Sequence, residues 1–137
     1  MMDISSYFNV IAIEDRVLHV ELTGFWSDQV MEQLSPEIQA AFEKAVLSFG
    51  GKKFILLADW SGCPVFGPKA EKHLTESMMI FKRHNGLKVV EVVPKTLIRI
   101  GLRRAAIQTG EDDFRIVVST IAEAQEVIER LDQDLNT

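Results

Sequence analysis

Residues 54–70 read FILLADWSGCPVFGPKA. The apolar run Phe54-Ile55-Leu56-Leu57-Ala58 stops at Asp59, a turn of Asp59, Ser61, Gly62 and Pro64 follows, and Gly67-Pro68 marks a helix start. A run that is apolar at every position reads as a central strand covered on both faces, since alternation is expected only where one face meets water. Proline suits the first turn of a helix because the N–H it lacks has no intrahelical partner there. Strand, loop and helix N-terminus in succession make the repeating unit of open α/β sheets, and their functional groups gather at such loops.

Working outward, the same unit recurs. Upstream, Tyr7 to Ile13 reads as a strand, Glu14-Asp15 as a two-residue break, and Arg16 to Thr23 as a second strand with Leu18, Val20 and Leu22 at period two. Gly24 ends it. Ser27 or Asp28 caps a helix to about Ser48, with Pro36 either kinking it or, behind Ser35, starting its main part. Ile38, Ala41, Phe42, Ala45 and Phe49 have helical spacing, and Gly50-Gly51 terminates them. The central strand is expected over Lys53 to Ala58, and Ala70, Leu74, Ser77, Met78 and Phe81 form the buried stripe of the helix that follows. Asn85-Gly86 stops that helix, and Lys88 to Val93 is a fourth strand. A third helix is expected from Lys95 to about Gln108, a fifth strand over Phe114 to Val118, and a last helix capped by Ser119 or Thr120 with Ile121, Ala124, Val127, Ile128 and Leu131 facing inward. The order β-β-α-β-α-β-α-β-α predicts an α/β fold: a mixed five-strand sheet with one antiparallel hairpin, packed with four helices.

The 137 residues suit a single domain over 1–137, and 47% hydrophobic with 26% charged residues is a globular balance. A net charge of −5 argues against nucleic acid as a partner, because phosphate binding wants a basic field. The one cysteine, Cys63, forms no intrachain disulfide, and no Cys/His spacing suits zinc, so neither metal nor cofactor is expected. MMDISSYFNV lacks the features of a signal peptide, and no apolar run approaches the roughly 20 residues that cross a bilayer, so a cytoplasmic protein is expected.

The opening hairpin, the Gly24 break and above all Asp59-Trp60-Ser61-Gly62 after the third strand resemble the STAS domain, the fold of bacterial anti-sigma-factor antagonists. The likeness covers nearly the whole chain and looks closest to the divergent SpoIIAA-like branch. It implies a non-enzymatic binding module of bacterial regulation. In the antagonists a serine near the second helix start is phosphorylated and switches partner binding; here Gly67, Pro68 and Lys69 stand at the corresponding positions and none offers a hydroxyl. The phosphorylation switch is therefore not implied for this chain.

Single residues add little catalytic chemistry. Asp59 reads as a turn residue bonding its own backbone, as does Ser61 before Gly62. Cys63 with His73 as base would need a third group to orient the imidazole, and none is evident. His73 and His84 are expected on helix surfaces, and His19 on the polar-leaning face of the second strand with Glu21. Trp60, Val65 and Phe66, with Phe25-Trp26 nearby and Met79 and Ile80 on the next helix, either close the end of the core or form an interface. Lys95, Arg99, Arg103 and Arg104 form a basic stripe on the third helix, either a solvated face or a charge-selective rim.

The expected docking surface therefore comprises Asp59, Trp60, Ser61, Phe66, Lys69, Phe25 and Trp26, facing a protein partner or a second copy in a homodimer. The alternative is a small-molecule or lipid carrier resembling the CRAL-TRIO plan. Its pocket would be lined by Phe25, Trp26, Trp60 and Phe66, with Arg99 or Arg103 at the mouth for an anionic amphiphile. An enzyme using Asp59 or Cys63 is a third and weaker reading.

Overall fold

The structure is a computed structural model describing residues 3–64, 66–93 and 114–135. A 3-10 turn (Ile4–Ser6) leads into β1 (Phe8–Glu14) and β2 (Val17–Thr23). Then come α1 (Asp28–Leu47), β3 (Phe54–Gly62), α2 (Pro68–Arg83), β4 (Gly86–Val92), β5 (Arg115–Val118) and α3 (Ile121–Leu135). The strands form one five-stranded sheet in the order β1-β2-β3-β4-β5. β1 runs antiparallel to β2, and every other pairing is parallel, so the expected mixed α/β sheet is what forms. Three α-helices lie among the described residues, against the four expected; the helix expected over 95–108 falls outside the described residues.

Local chemistry explains the joints. Glu14 pairs with Val17, so the hairpin turns at Asp15-Arg16, one residue beyond the expected break, and Asp15 takes φ 53°, a left-handed conformation that aspartate tolerates. Ser27 caps α1 by accepting the Val30 N–H at 3.2 Å. Pro36 sits inside α1 without ending it. Thr120 caps α3 by accepting the Glu123 N–H at 3.2 Å, and its hydroxyl donates to the Glu123 carboxylate. β4 begins at Gly86 rather than Lys88, and only glycine fits there: an added Cβ would lie 2.2 Å from the buried Phe81 ring.

Period two divides β3 between two cores. Phe54, Leu56, Ala58 and Trp60 point to one side, where α1 and α2 supply Leu34, Ile38, Phe42, Leu74 and Phe81. Ile55 and Leu57, with Val90 and Val92 of β4, point to the other side, where α3 presents Ala124, Val127, Ile128 and Leu131. Burying both faces is what the unbroken run Phe54 to Ala58 requires. Ile121, expected to face inward, is instead 39% exposed at the start of α3.

Candidate functional site

Two places collect the residues singled out above, a rim at the C-terminal end of β3 and a cavity beneath α1 and α2. The rim is tied by backbone bonds: the Gly24 N–H donates to Gly62 at 3.1 Å, the Gly67 N–H donates to Trp26 at 2.9 Å, and Trp26 and Phe66 form an isolated parallel bridge. Asp59 accepts the Ser61 N–H at 2.9 Å through Oδ1, the local turn role expected of it. Phe25 is 53% exposed beside this bridge, Phe66 is partly buried and Ser61 is exposed.

The α2 N-terminus holds an anion supplied by the chain itself. Asp28, the first residue of α1, accepts the Lys69 N–H at 3.0 Å, and the Lys69 ammonium pairs with Glu32 at the surface. A helix N-terminus favours negative charge, and the Asp28 carboxylate meets that demand. It lies so close that a Cβ at Gly67 would stand 2.7 Å from Asp28 Oδ1. Gly67 and the Lys69 N–H thus pack against a carboxylate.

The second place is a cavity of about 50 Å³ between the sheet and the α1–α2 pair. Its wall is largely apolar, with Trp26, Trp60, His73, Glu91 and Arg115 among the lining residues. Trp26 meets Trp60 edge-on at 5.5 Å between centroids and meets His73 at 5.4 Å. The Trp26 indole donates to the Thr23 carbonyl at 3.0 Å. Above them a polar seam joins the helices: Ser35 Oγ and His73 Nδ1 share a 2.6 Å hydrogen bond, Gln39 donates to the His73 carbonyl at 2.8 Å, and Ser77 donates to Gln39 at 3.0 Å. Burial pushes the His73 imidazole down to about 4, so it is neutral at pH 7.

Glu91 is the buried acid of this cavity. Its carboxylate is paired with the Arg115 guanidinium of β5. Burial pushes the Glu91 carboxyl up, while Arg115 and, more weakly, the Trp60 N–H favour its charged form. The Trp60 N–H nevertheless stands outside hydrogen-bond geometry, and it is the buried side-chain polar atom without a partner among the described residues.

Several expectations are corrected by this geometry. Trp60 and Trp26 are 2% and 0% exposed, so neither belongs to a docking surface; both are core and cavity residues. The reason is that β3 runs to Gly62 instead of ending at Ala58, and Trp60 then follows Ala58 inward at period two. His73, expected on a helix surface, is 3% exposed. The cavity takes Trp26 and Trp60 from the expected carrier pocket, but Phe25 and Phe66 stand outside its wall. Lys95, Arg99, Arg103, Arg104 and Val65 lie outside the described residues.

Sequence reasoning read Asp28 and Ser35 only as helix caps and passed over Glu91 and Arg115. Glu91 carried a signal: it interrupts Val89-Val90-Glu91-Val92-Val93, and a charge inside an apolar strand needs a partner. No group of histidine, cysteine or acidic residues suited to a metal occurs among the described residues, and none of their helices is long and apolar enough to cross a membrane.

No family model and no curated protein matches the sequence. Solved structures do. An anti-sigma factor antagonist from Mycobacterium paratuberculosis matches over 90% of this chain and 96% of its own, at 22% identity and TM-score 0.56. The anti-sigma factor antagonist SpoIIAA in its unphosphorylated form matches over 91% and 97%, at 13% identity and TM-score 0.59. The phosphorylated Bacillus cell fate determinant SpoIIAA matches over 88% and 98%, at 14% identity and TM-score 0.56. At these identities the likeness is one of backbone plan, and across about 90% of its length this chain has the SpoIIAA-like STAS fold.

Proposed function

We propose that this chain is a non-enzymatic binding module of bacterial regulation, acting in the cytoplasm, that docks a protein partner on the rim formed by Phe25, Asp59, Ser61 and Phe66. The observation that carries this reading is an exposed aromatic on a rigid support: Phe25 is 53% exposed on a rim fixed by backbone bonds. Little entropy is then lost on docking, and aromatic side chains anchor interfaces well. The module works without a phosphorylation switch at the α2 start, since Gly67 has no hydroxyl and packs against Asp28. Lys69, engaged by Glu32, contributes charge at the edge of the surface. A second copy of the chain is the other candidate occupant.

The test is capture of partners from the source cells by crosslinking, comparing Phe25→Asp with Leu47→Asp. Leu47 is 57% exposed at the far end of α1 and serves as the control. The reading expects Phe25→Asp alone to abolish capture while the protein stays folded. Equal capture by both variants would sink it. The crosslinked mass separates a foreign partner from a homodimer.

A second reading, carriage of a small molecule, is supported by the cavity. An anionic amphiphile draws no support from the described lining, where Arg115 is already committed to Glu91.

A further inference from the structure

The rim carries a charge pattern as well as an aromatic. Glu21 of β2 is the in-register neighbour of Asp59 in parallel β3, so both side chains leave the sheet on one face, the face on which Ile55 and Leu57 meet α3. Both are half-buried. Asp59 accepts the Ser61 N–H through Oδ1, while the Glu21 carboxylate has neither a hydrogen bond nor an ion pair among the described residues. Like charges side by side on neighbouring strands repel, and partial burial strengthens the repulsion by removing water. A cation placed between them would reverse its sign.

The described surroundings are acidic too. The 3-10 turn begins at Asp3 and abuts the rim, where the Thr23 hydroxyl donates to the Ser6 carbonyl at 2.8 Å. Asp28 and Glu32 stand where α1 meets the start of α2. Lys69 is tied to Glu32, and Lys72 lies a turn further along α2. Phe25 is exposed at this same end. It follows Glu21 by four residues, a span of at most roughly 14 Å, so one partner segment reaches both.

This charge pattern chooses between the two candidate occupants. A two-fold interface brings a patch against itself, so a second copy docking rim to rim would set these carboxylates against their own kind. A foreign segment bearing a cation meets no such repulsion. Arginine suits the pair better than lysine, because its planar guanidinium presents several N–H donors at once and is the more weakly hydrated cation.

We propose that the rim recognises a partner protein through an arginine seated between Glu21 and Asp59, with an apolar side chain of the partner packed on Phe25. This rests on the protein-docking reading of the rim and names the chemistry of the partner.

The test uses two synthetic peptides, Leu-Gly-Arg-Gly-Leu and the same peptide with uncharged citrulline in place of arginine. Each is titrated into protein labelled with nitrogen-15. The arginine peptide is expected to move the amide resonances of residues 21–25 and 59–62. It is also expected to bind about tenfold more tightly than the citrulline peptide, as hydrogen bonds between charged groups permit. Glu21→Gln combined with Asp59→Asn keeps the side-chain shapes and the acceptor for the Ser61 N–H, and should bring the two affinities within about twofold. Glu126→Gln combined with Glu129→Gln removes the same charge from the exposed surface of α3 and should leave the tenfold preference intact. Equal binding of the two peptides at the rim, or an equal loss of preference in both double variants, would overturn the arginine assignment while leaving the docking rim standing. Absence of rim shifts with either peptide would also overturn it, and the crosslinking comparison of Phe25→Asp with Leu47→Asp then judges the docking reading separately.

Discussion

His73 shows what burial does to one titratable group. Its imidazole is held neutral by desolvation down to about pH 4, while in the unfolded chain it protonates near the ordinary value of 6.5. Between those values the unfolded state binds the extra proton, so stability is present above pH 6.5 and is lost as pH falls towards 4. The gap is equivalent to roughly 3 kcal/mol. Glu91 works in the opposite sense, because its raised carboxyl takes up a proton more readily in the folded state as pH falls. Urea denaturation from pH 7 to pH 4 should therefore be read as the difference between native protein and His73→Asn. The native protein is expected to lose stability more steeply than the variant, and parallel curves would refute the assignment. Gly86 supplies a second prediction at this scale. A Cβ there would stand 2.2 Å from the Phe81 ring, so Gly86→Ala should cost about 1–3 kcal/mol, measured as a lower denaturation midpoint at unchanged slope.

The start of α2 is built by a residue of another helix. Asp28 belongs to the first turn of α1, yet its carboxylate accepts the Lys69 N–H where α2 begins, and Gly67 offers no side-chain cap of its own. Asp28→Ala should then cost about 1 kcal/mol, the usual worth of a helix N-cap. Gly67→Ala should disturb the same bond, since the new methyl would lie 2.7 Å from Asp28 Oδ1. Because both substitutions act on one interaction, the double variant is expected to cost less than the two single effects together. Strict additivity in a thermal-denaturation cycle would mean that the carboxylate does not cap α2. The α1–α2 seam of Ser35, Gln39, His73 and Ser77 belongs to the same scale, holding as a unit the two helices that roof the cavity.

Across the molecule, the buried Glu91–Arg115 pair joins β4 to the short edge strand β5. Breaking a buried pair from one side leaves an uncompensated charge in a medium of low polarity. Glu91→Leu is expected to cost about 3–5 kcal/mol, and adding Arg115→Met should recover much of it. If Glu91→Leu alone leaves the urea midpoint unchanged, the pair is not buried in solution. The sheet carries α1 and α2 on one face and α3 on the other, with the rim at the C-terminal end of β3 and the cavity between the sheet and the α1–α2 pair.

The sequence by itself determined the described elements and their order. Helical and strand periodicities differ, and Gly50-Gly51, Asn85-Gly86 and Pro68 punctuate them, so the mixed α/β plan was legible from residues close together in the chain. Even the two covered faces of the sheet could be read from the unbroken run Phe54 to Ala58. The tertiary structure alone decided which side chains are available. Trp60 looked like a loop aromatic, but parallel pairing carried β3 on to Gly62 and turned that ring into the core. His73 is buried because Ser35 and Gln39, on a different helix, satisfy its polar atoms. Glu91 is tolerated because Arg115 arrives from a strand that pairs with β4 only after the chain has folded. Local patterns record how a segment meets water, whereas a buried polar group is fixed by partners distant in sequence, and no single window of the chain contains both.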